Sequence, residues 1–146
     1  MSVITSFTER KREKQLINER KLLSDLSIHS LKKSVLLHFY AARLASDLLD
    51  EGIEDACLDV AIEAYLTGAD YGRFIVGGET MEMTRKRCQQ ELAHFAETLY
   101  HLWLYLDYGR CTLQDEAIFL VCEKFVDYWW KEGYEKAKRR YKLRLH

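Results

Sequence analysis

Apolar residues recur along most of the chain at intervals of three and four, which is the spacing that places them on one face of an α-helix. The pattern predicts helices over residues 7–26, 28–51, 53–76, 81–108 and 113–132, and a further helical segment after Gly133. The chain contains no proline, the residue that most often interrupts helices, so long helices joined by short turns are expected. We therefore predict an all-α fold, a single-domain bundle of four to five helices.

The apolar faces of these helices predict the core of the bundle. The inward-facing sets are Ile53, Cys57, Val60, Ala61 and Ala64 in the third helix, Leu92, Phe95, Ala96, Leu99, Leu102, Trp103 and Leu106 in the fourth, and Ile118, Val121, Cys122, Phe125 and Trp129 in the fifth. The second helix has a broader face, with Leu31, Val35, Phe39, Ala42 and Leu49 widened by Leu37, Ala41, Leu44 and Leu48. Such breadth indicates burial against two neighbours. The acidic residues Asp55, Asp59 and Glu63 are expected on the solvent side of the third helix.

Glycines and capping residues predict where helices end and begin. Gly52, the pair Gly77–Gly78 and Gly109 each follow a helical pattern and suit the left-handed position just after a helix. Thr80 is a candidate N-cap for the fourth helix. Ser6 with Glu9 and Thr112 with Asp115 have the spacing of capping boxes, the second a weaker variant.

Gly133 coincides with a change in the direction of the apolar pattern. The residues that follow it, Tyr134, Ala137, Tyr141 and Leu145, form a stripe rotated by roughly 130° from that of the fifth helix, at 100° per residue. One straight helix cannot present both stripes to the same neighbour. A kink or break at Gly133 is therefore predicted. It divides the chain into a projecting basic helix start (about 7–15), a bundle core (about 16–132) and a basic aromatic segment (133–146).

Charge is distributed unevenly, although the formal net charge is only −1. Residues 9–21 carry six basic and three acidic groups, a net +3, and residues 131–146 carry seven basic and two acidic groups, a net +5. The remaining 9 basic and 18 acidic groups give residues 22–130 a net charge of −9. An acidic body with two basic ends is predicted.

Four cysteines, Cys57, Cys88, Cys111 and Cys122, are present without a C-x-x-C pair, and the polar start of the chain lacks the apolar core of a secretory signal. No apolar run approaches the roughly 20 residues that span a bilayer. A reduced, cytoplasmic protein is expected. No cofactor fingerprint is recognised, so no cofactor is expected.

The sharpest candidate for metal chemistry is Glu91-x-x-His94, followed by Glu97 and His101. This spacing occurs in helical-bundle di-iron proteins because side chains three residues apart converge on one metal. Such a site needs a second copy of the motif, which the chain lacks, and the helical phase directs His94, Glu97 and His101 to solvent. A salt-bridged polar face is favoured, with adventitious surface zinc as an alternative.

A weak anion-binding site is the second candidate. Gly78 and Thr80 open a helix whose first turns carry Arg85, and helix amides beside cations attract anions. A tight turn with a solvated basic face is the favoured interpretation. Gly68 and Gly72, four residues apart, indicate close helix approach more than ligand binding.

The basic aromatic segment is the best candidate for a binding surface. Its candidate residues are Trp129, Trp130, Tyr134, Lys138, Arg139, Arg140, Tyr141 and Lys142. Basic residues interleaved with aromatic ones can contact phosphates and stack on bases, and the same pattern can lie on an anionic membrane or a protein partner. Alternatively, the aromatic stripe docks on the bundle and leaves its charges in water.

Three segments, MSVITSFTERKREKQLINERKLL, GADYGRFIVGGE and YWWKEGYEKAKRRYK, resemble a family of small uncharacterised helical proteins from Bacillus-type bacteria. The resemblance extends over the whole chain. It implies a cytoplasmic bacterial protein and supplies no catalytic residues. The preferred hypothesis is a non-enzymatic helical-bundle protein that binds a protein partner or self-associates. A nucleic-acid-binding protein with basic termini is the first alternative, and a metal-dependent helical-bundle enzyme is the disfavoured one.

Overall fold

The computed structural model describes residues 23–24, 26–41, 51–107 and 115–144, together with the isolated residues 10 and 20. The elements are α1 (Ile28–Ala41), α2 (Glu51–Tyr71), a 3₁₀ helix (Gly72–Gly77), α3 (Met81–Arg87), α4 (Gln89–Asp107) and α5 (Asp115–Arg144). The predicted all-α bundle is confirmed, and the described ranges include no strand. Most of the predicted helix 7–26 lies outside the described residues. So do the expectations for Ser6, Glu9, Ala42, Leu44, Leu48, Leu49, Gly109, Cys111, Thr112 and Leu145.

Helices α2 and α5 lie side by side at the centre of the bundle and run parallel. Tyr65 in the middle of α2 faces Gly133 of α5, and Gly72, just after α2, faces Ala137 further along α5. The outer helices run antiparallel to them. In α1, Ser34 contacts Trp129 whereas the later residue His38 contacts Phe125. In α4, Tyr100 contacts Phe119 near the start of α5, whereas Leu92 packs beside Trp130 and Tyr134.

The described residues of the predicted core faces are buried or half-buried, with one exception. All five inward residues of α2 and the core residues Ile118, Cys122, Phe125 and Trp129 of α5 are buried in one cluster with Leu31, Val35, Phe39, Leu99 and Trp103. The exception is Leu37 of α1, which is 62% exposed. At 100° per residue Leu37 points about 160° away from Val35, so the buried face of α1 is narrower than predicted.

The predicted break at Gly133 is wrong, because α5 continues as one helix from Asp115 to Arg144. Gly133 is buried where α2 crosses α5, and a Cβ atom there would collide with the backbone carbonyl of Tyr65. Gly68 has the same role on α2, against the backbone of Trp130. Glycine at these two positions lets the two helix backbones come close together. The prediction that Gly68 and Gly72 mark close helix approach is confirmed, since a Cβ on Gly72 would lie 2.6 Å from the Ala137 Cβ.

The connection between α2 and α4 differs in detail from the predicted turn. The chain changes to a 3₁₀ helix at Gly72, and Gly78 then adopts the predicted left-handed conformation with φ 84°. Thr80 caps α3 as predicted, because its Oγ1 accepts a hydrogen bond from the Met83 amide at 3.2 Å. The single helix predicted for residues 81–108 is instead divided into α3 and α4 by a turn at Cys88. Gly52 lies inside the first turn of α2 and not at the predicted left-handed position after a helix.

Candidate functional site

The aromatic residues of the candidate binding surface are buried, and they form a second, smaller cluster. Trp130 and Tyr134 are 0% exposed and stack with their ring centroids 5.2 Å apart. Cys88, from the turn between α3 and α4, completes this second cluster, with Tyr71, Met81 and Leu92 packed around it. The stripe after Gly133 therefore faces neighbours on a different side of α5, which is why one continuous helix can bury both stripes.

Trp129 belongs to the main core and not to a surface. Its indole Nε1 donates a hydrogen bond to Ser34 Oγ at 3.1 Å, and the Ser34 hydroxyl in turn lies 3.3 Å from His38 Nδ1. Buried indole N–H groups generally need such an acceptor. The interpretation that Trp129, Trp130 and Tyr134 bind a partner is therefore corrected, because all three residues are core.

The basic residues of α5 remain at the surface. We call residues 136–144 the basic end of α5; they include six basic residues and no acidic ones. Arg139 and Lys142 are exposed, whereas Lys138, Arg140 and Tyr141 are half-buried. Leu143 is 76% exposed beside them. Since the aromatic side of the helix is packed on α2 and the 3₁₀ helix, these charges project from a fixed helix.

Arg85, the cation of the candidate anion site, forms an ion pair with a carboxylate of α5. Arg85 Nη2 lies 2.7 Å from Asp127 Oδ1 on α5, and Lys131 Nζ lies 3.1 Å from the other oxygen of the same carboxylate. Helix α3 has only seven residues, and Thr80 already caps one of its amides. The geometry of Gly78, Thr80 and Arg85 is thus that of a capped turn with an ion pair.

The acidic and histidine residues of α4 face solvent as predicted, with Glu91, His94, Glu97 and His101 all exposed. Glu91 accepts a hydrogen bond from the Tyr71 hydroxyl at 2.5 Å, and this bond, with some burial, raises the pKa of Tyr71 to about 12. Within the described ranges, no three His, Cys, Asp or Glu side chains lie close enough together to hold a metal ion. The hydrogen bond between Tyr71 and Glu91 links α4 to the last residue of α2.

Two shallow depressions that share Phe119 form a groove between α4 and α5. Small and apolar residues form its floor: Leu92, Ala93, Ala96, Phe119 and Val126. Carboxylates form much of its rim: Glu82, Glu97, Glu116 and Glu123. We call this feature the α4–α5 groove. Tyr100, His101 and Leu120 line one end, and Arg85 and Lys86 line the other.

Sequence reasoning missed the α4–α5 groove because its residues fall outside the predicted core faces. Phe119 and Leu120 are not part of the stripe that begins at Ile118, and the helical phase predicts that Glu97 lies on a solvent-facing polar surface. The available signal was an apolar pair beside Glu116 and Glu123 on the flank of α5. Which helix lies against that flank depends on tertiary packing.

The three described cysteines are buried and carry free thiols. Burial raises the pKa of Cys88 to about 11 and that of Cys122 to about 12, and it raises the pKa of Cys57 further still. The indole N–H of Trp103 beside Cys57, and that of Trp130 beside Cys88, oppose the rise without cancelling it. Reactive cysteines require a thiolate, so these thiols act as small core residues.

The described helices define a small all-α bundle. Among the helices described, none is both long and apolar enough to cross a bilayer. The chain belongs to the family described as "Protein of unknown function (DUF2521)", whose model matches residues 1–146.

A relative from Bacillus subtilis (strain 168), the "Uncharacterized protein YbaK", is 31% identical over 153 residues, which cover 99% of each chain. No solved structure matches the chain. The resemblance predicted from the sequence is confirmed.

Proposed function

We propose that this protein is a non-enzymatic, cytoplasmic interaction protein that binds an acidic protein surface through the basic end of α5. One observation supports the proposal. Arg139 and Lys142 are exposed on α5, and the aromatic stripe of the same helix is packed against the bundle. Long basic side chains on a rigid support lose less freedom on binding than those on a loop. The buried free thiols fit a reducing compartment.

The burial of the aromatic residues favours a protein partner over single-stranded nucleic acid. Stacking on bases requires accessible rings, and Trp130 and Tyr134 are 0% exposed. Phosphate contacts alone would remain available to nucleic acid. Such phosphate contacts give nucleic-acid binding that has no sequence preference and that weakens steeply as the salt concentration rises.

The metal-dependent enzyme remains the disfavoured alternative. Its candidate residues Glu91, His94, Glu97 and His101 lie on one exposed helix face. One carboxylate oxygen of Glu91 already accepts a hydrogen bond from the Tyr71 hydroxyl. Metal centres in bundles draw ligands from several facing helices.

The proposal is tested by comparing capture of bacterial lysate proteins on the wild-type chain and on Arg139→Glu/Lys142→Glu. A matched control, Lys32→Glu/Lys33→Glu, makes the same change in net charge on two exposed lysines of α1, where the Lys32–Glu54 pair is worth little. We expect the α5 variant to lose a partner that the control retains.

Capture of the same proteins by all three chains would contradict the proposal. Fluorescence anisotropy with single-stranded RNA and DNA then tests the alternative. Nucleic-acid binding that survives at about 0.15 M salt, and that the α5 substitutions abolish, would replace the protein partner by a polyanion.

A further inference from the structure

We propose that the α4–α5 groove receives the basic end of α5 from a second copy of this chain, so that the protein self-associates head to tail. This inference rests on the proposed function, because it uses the same basic surface and names its acidic partner. Three observations support it: the chemistry of the groove, the chemistry of the basic end, and the geometry that separates them.

The groove combines an apolar floor with uncompensated negative charge. Ala93 and Ala96, one helical turn apart on α4, leave a depression beside Phe119 of α5. Within the described part of the chain, Glu97, Glu116 and Glu123 make no ion pair, whereas Asp127 is neutralised by Arg85 and Lys131. Lys86 is the remaining cation on the lining. A groove of this kind fits a basic helix that carries an apolar residue.

The basic end of α5 has that composition on one exposed face. Arg139, Lys142 and Leu143 lie within about 100° of one another around the helix. Leu143, 76% exposed, would enter the apolar part of the groove while the two cations meet the rim carboxylates. Opposite potentials on two surfaces guide their encounter and fix their orientation.

One copy of the chain cannot fill its own groove. Both surfaces include residues of the single continuous helix α5, and twelve residues, or ~18 Å, separate Asp127 at the end of the groove from Arg139. The two surfaces also face directions roughly 150° apart around that helix. The contact must therefore form between molecules, and it uses a different surface on each partner.

Sedimentation velocity of the full chain provides the first test. We expect the mean sedimentation coefficient to rise with concentration up to roughly 200 µM, in the range of a micromolar dissociation constant. The rise should be weaker at about 0.5 M salt than at about 0.05 M salt, because screening weakens contacts between exposed charges. A wild-type chain that stays monomeric at low salt overturns the inference.

Charge-reversal variants identify the two surfaces. The groove variant is Glu97→Lys/Glu116→Lys and the end variant is Arg139→Glu/Lys142→Glu, and each alone should associate at least about tenfold more weakly. Asp55→Lys/Asp59→Lys, on the exposed side of α2, is the charge-matched control for the groove variant. Circular dichroism checks that every variant keeps its helical content.

An equimolar mixture of the two variants provides the sharpest readout. The groove variant keeps an intact basic end and the end variant keeps an intact groove, and the two reversed surfaces are also opposite in charge, so we expect association to be recovered in the mixture. A mixture that remains monomeric, or single variants that associate like the wild type, overturns the inference.

Failure of the inference is distinguishable from failure of the proposed function. If the wild type is monomeric but the end variant loses a captured partner, the proposed function stands and the second copy is excluded as the partner. If the end variant changes neither capture nor self-association, both fail.

Discussion

The two halves of α5 bury aromatic residues in different surroundings. In the first half, Phe125 and Trp129 pack in the main core with α1, α2 and α4. In the second half, Trp130 and Tyr134 pack in the second cluster, against Cys88 and the end of α2. Each half therefore has its own neighbours, although the helix itself is continuous.

This difference shows how a continuous helix accommodates a rotated apolar stripe. The bundle places α1 and α4 beside the first half and the α2–α4 connection beside the second half. Side chains on one side of α5 are consequently buried in its first half, and side chains on another side are buried in its second half. The basic end lies beyond both clusters, on a helix whose position they fix.

The largest effect is expected from Trp130→Ala, which removes the largest side chain of the second cluster. Truncating a fully buried aromatic residue costs about 3–5 kcal/mol of unfolding free energy. Urea denaturation measures it, with Leu143→Ala, 76% exposed on the same half, as a control expected to change little. A cost below about 1 kcal/mol for Trp130→Ala would show that the second half is only loosely docked.

Alkaline pH should destabilise the fold in part through its buried thiols, among them Cys88 of the second cluster. Cys88 and Cys122 ionise near pH 9.0 when unfolded but near pH 11 and pH 12 when folded, so the folded state holds protons that the unfolded state loses. Their contribution to stability is complete below about pH 9 and falls as pH rises toward the folded values. Urea unfolding at about pH 8 and about pH 10.5 should show a smaller loss for Cys88→Ala than for the wild type. Equal losses would mean that the Cys88 thiol is not protected in the folded state.

A smaller effect, of opposite sign, is expected from Tyr134→Phe. The Tyr134 hydroxyl is buried and has no hydrogen-bond partner among the described residues. Removing a buried, unsatisfied hydroxyl is neutral or stabilising, by up to about 1 kcal/mol. Thermal unfolding of the two chains checks the sign. A loss of more than about 1 kcal/mol would reveal a partner for the hydroxyl.

The smallest effect is expected from Asp127→Asn, which weakens the Arg85 ion pair between α3 and α5 and the Lys131 ion pair within α5. Both cations are at least 41% exposed, and exposed ion pairs contribute about 0–1 kcal/mol. The loss should shrink further in about 0.5 M salt. A loss above about 2 kcal/mol would make this pair, and not the second cluster, the main attachment of α3.

The helical class and most core faces could be predicted because a 100° rotation per residue converts apolar spacing directly into a buried stripe. The sets in α2, α4 and the first half of α5 follow this rule. The width of the α1 face could not be predicted, since the position of its neighbours decides whether Leu37 is covered.

The role of Gly133 was beyond sequence reasoning for a physical reason. Glycine both loosens a helix and permits close backbone approach, and only the position of Tyr65 on another helix decides between these roles. The candidate surface was predicted in part: its basic residues are exposed, but its aromatic residues are core. The α4–α5 groove depends on which flanks of two helices meet, and a single helical pattern does not contain that information.

The central claim is that Gly133 is a contact point between α2 and α5 and not a hinge. The most direct measurement is the unfolding free energy of Gly133→Ala by urea denaturation, with Gly77→Ala, whose Cβ would meet no atom within 4 Å, as the matched control. We expect Gly133→Ala to lose about 1–3 kcal/mol, because the new Cβ collides with the backbone of Tyr65. A gain of roughly 0.5–1 kcal/mol, the usual result of replacing glycine by alanine inside a freely exposed helix, would contradict the account.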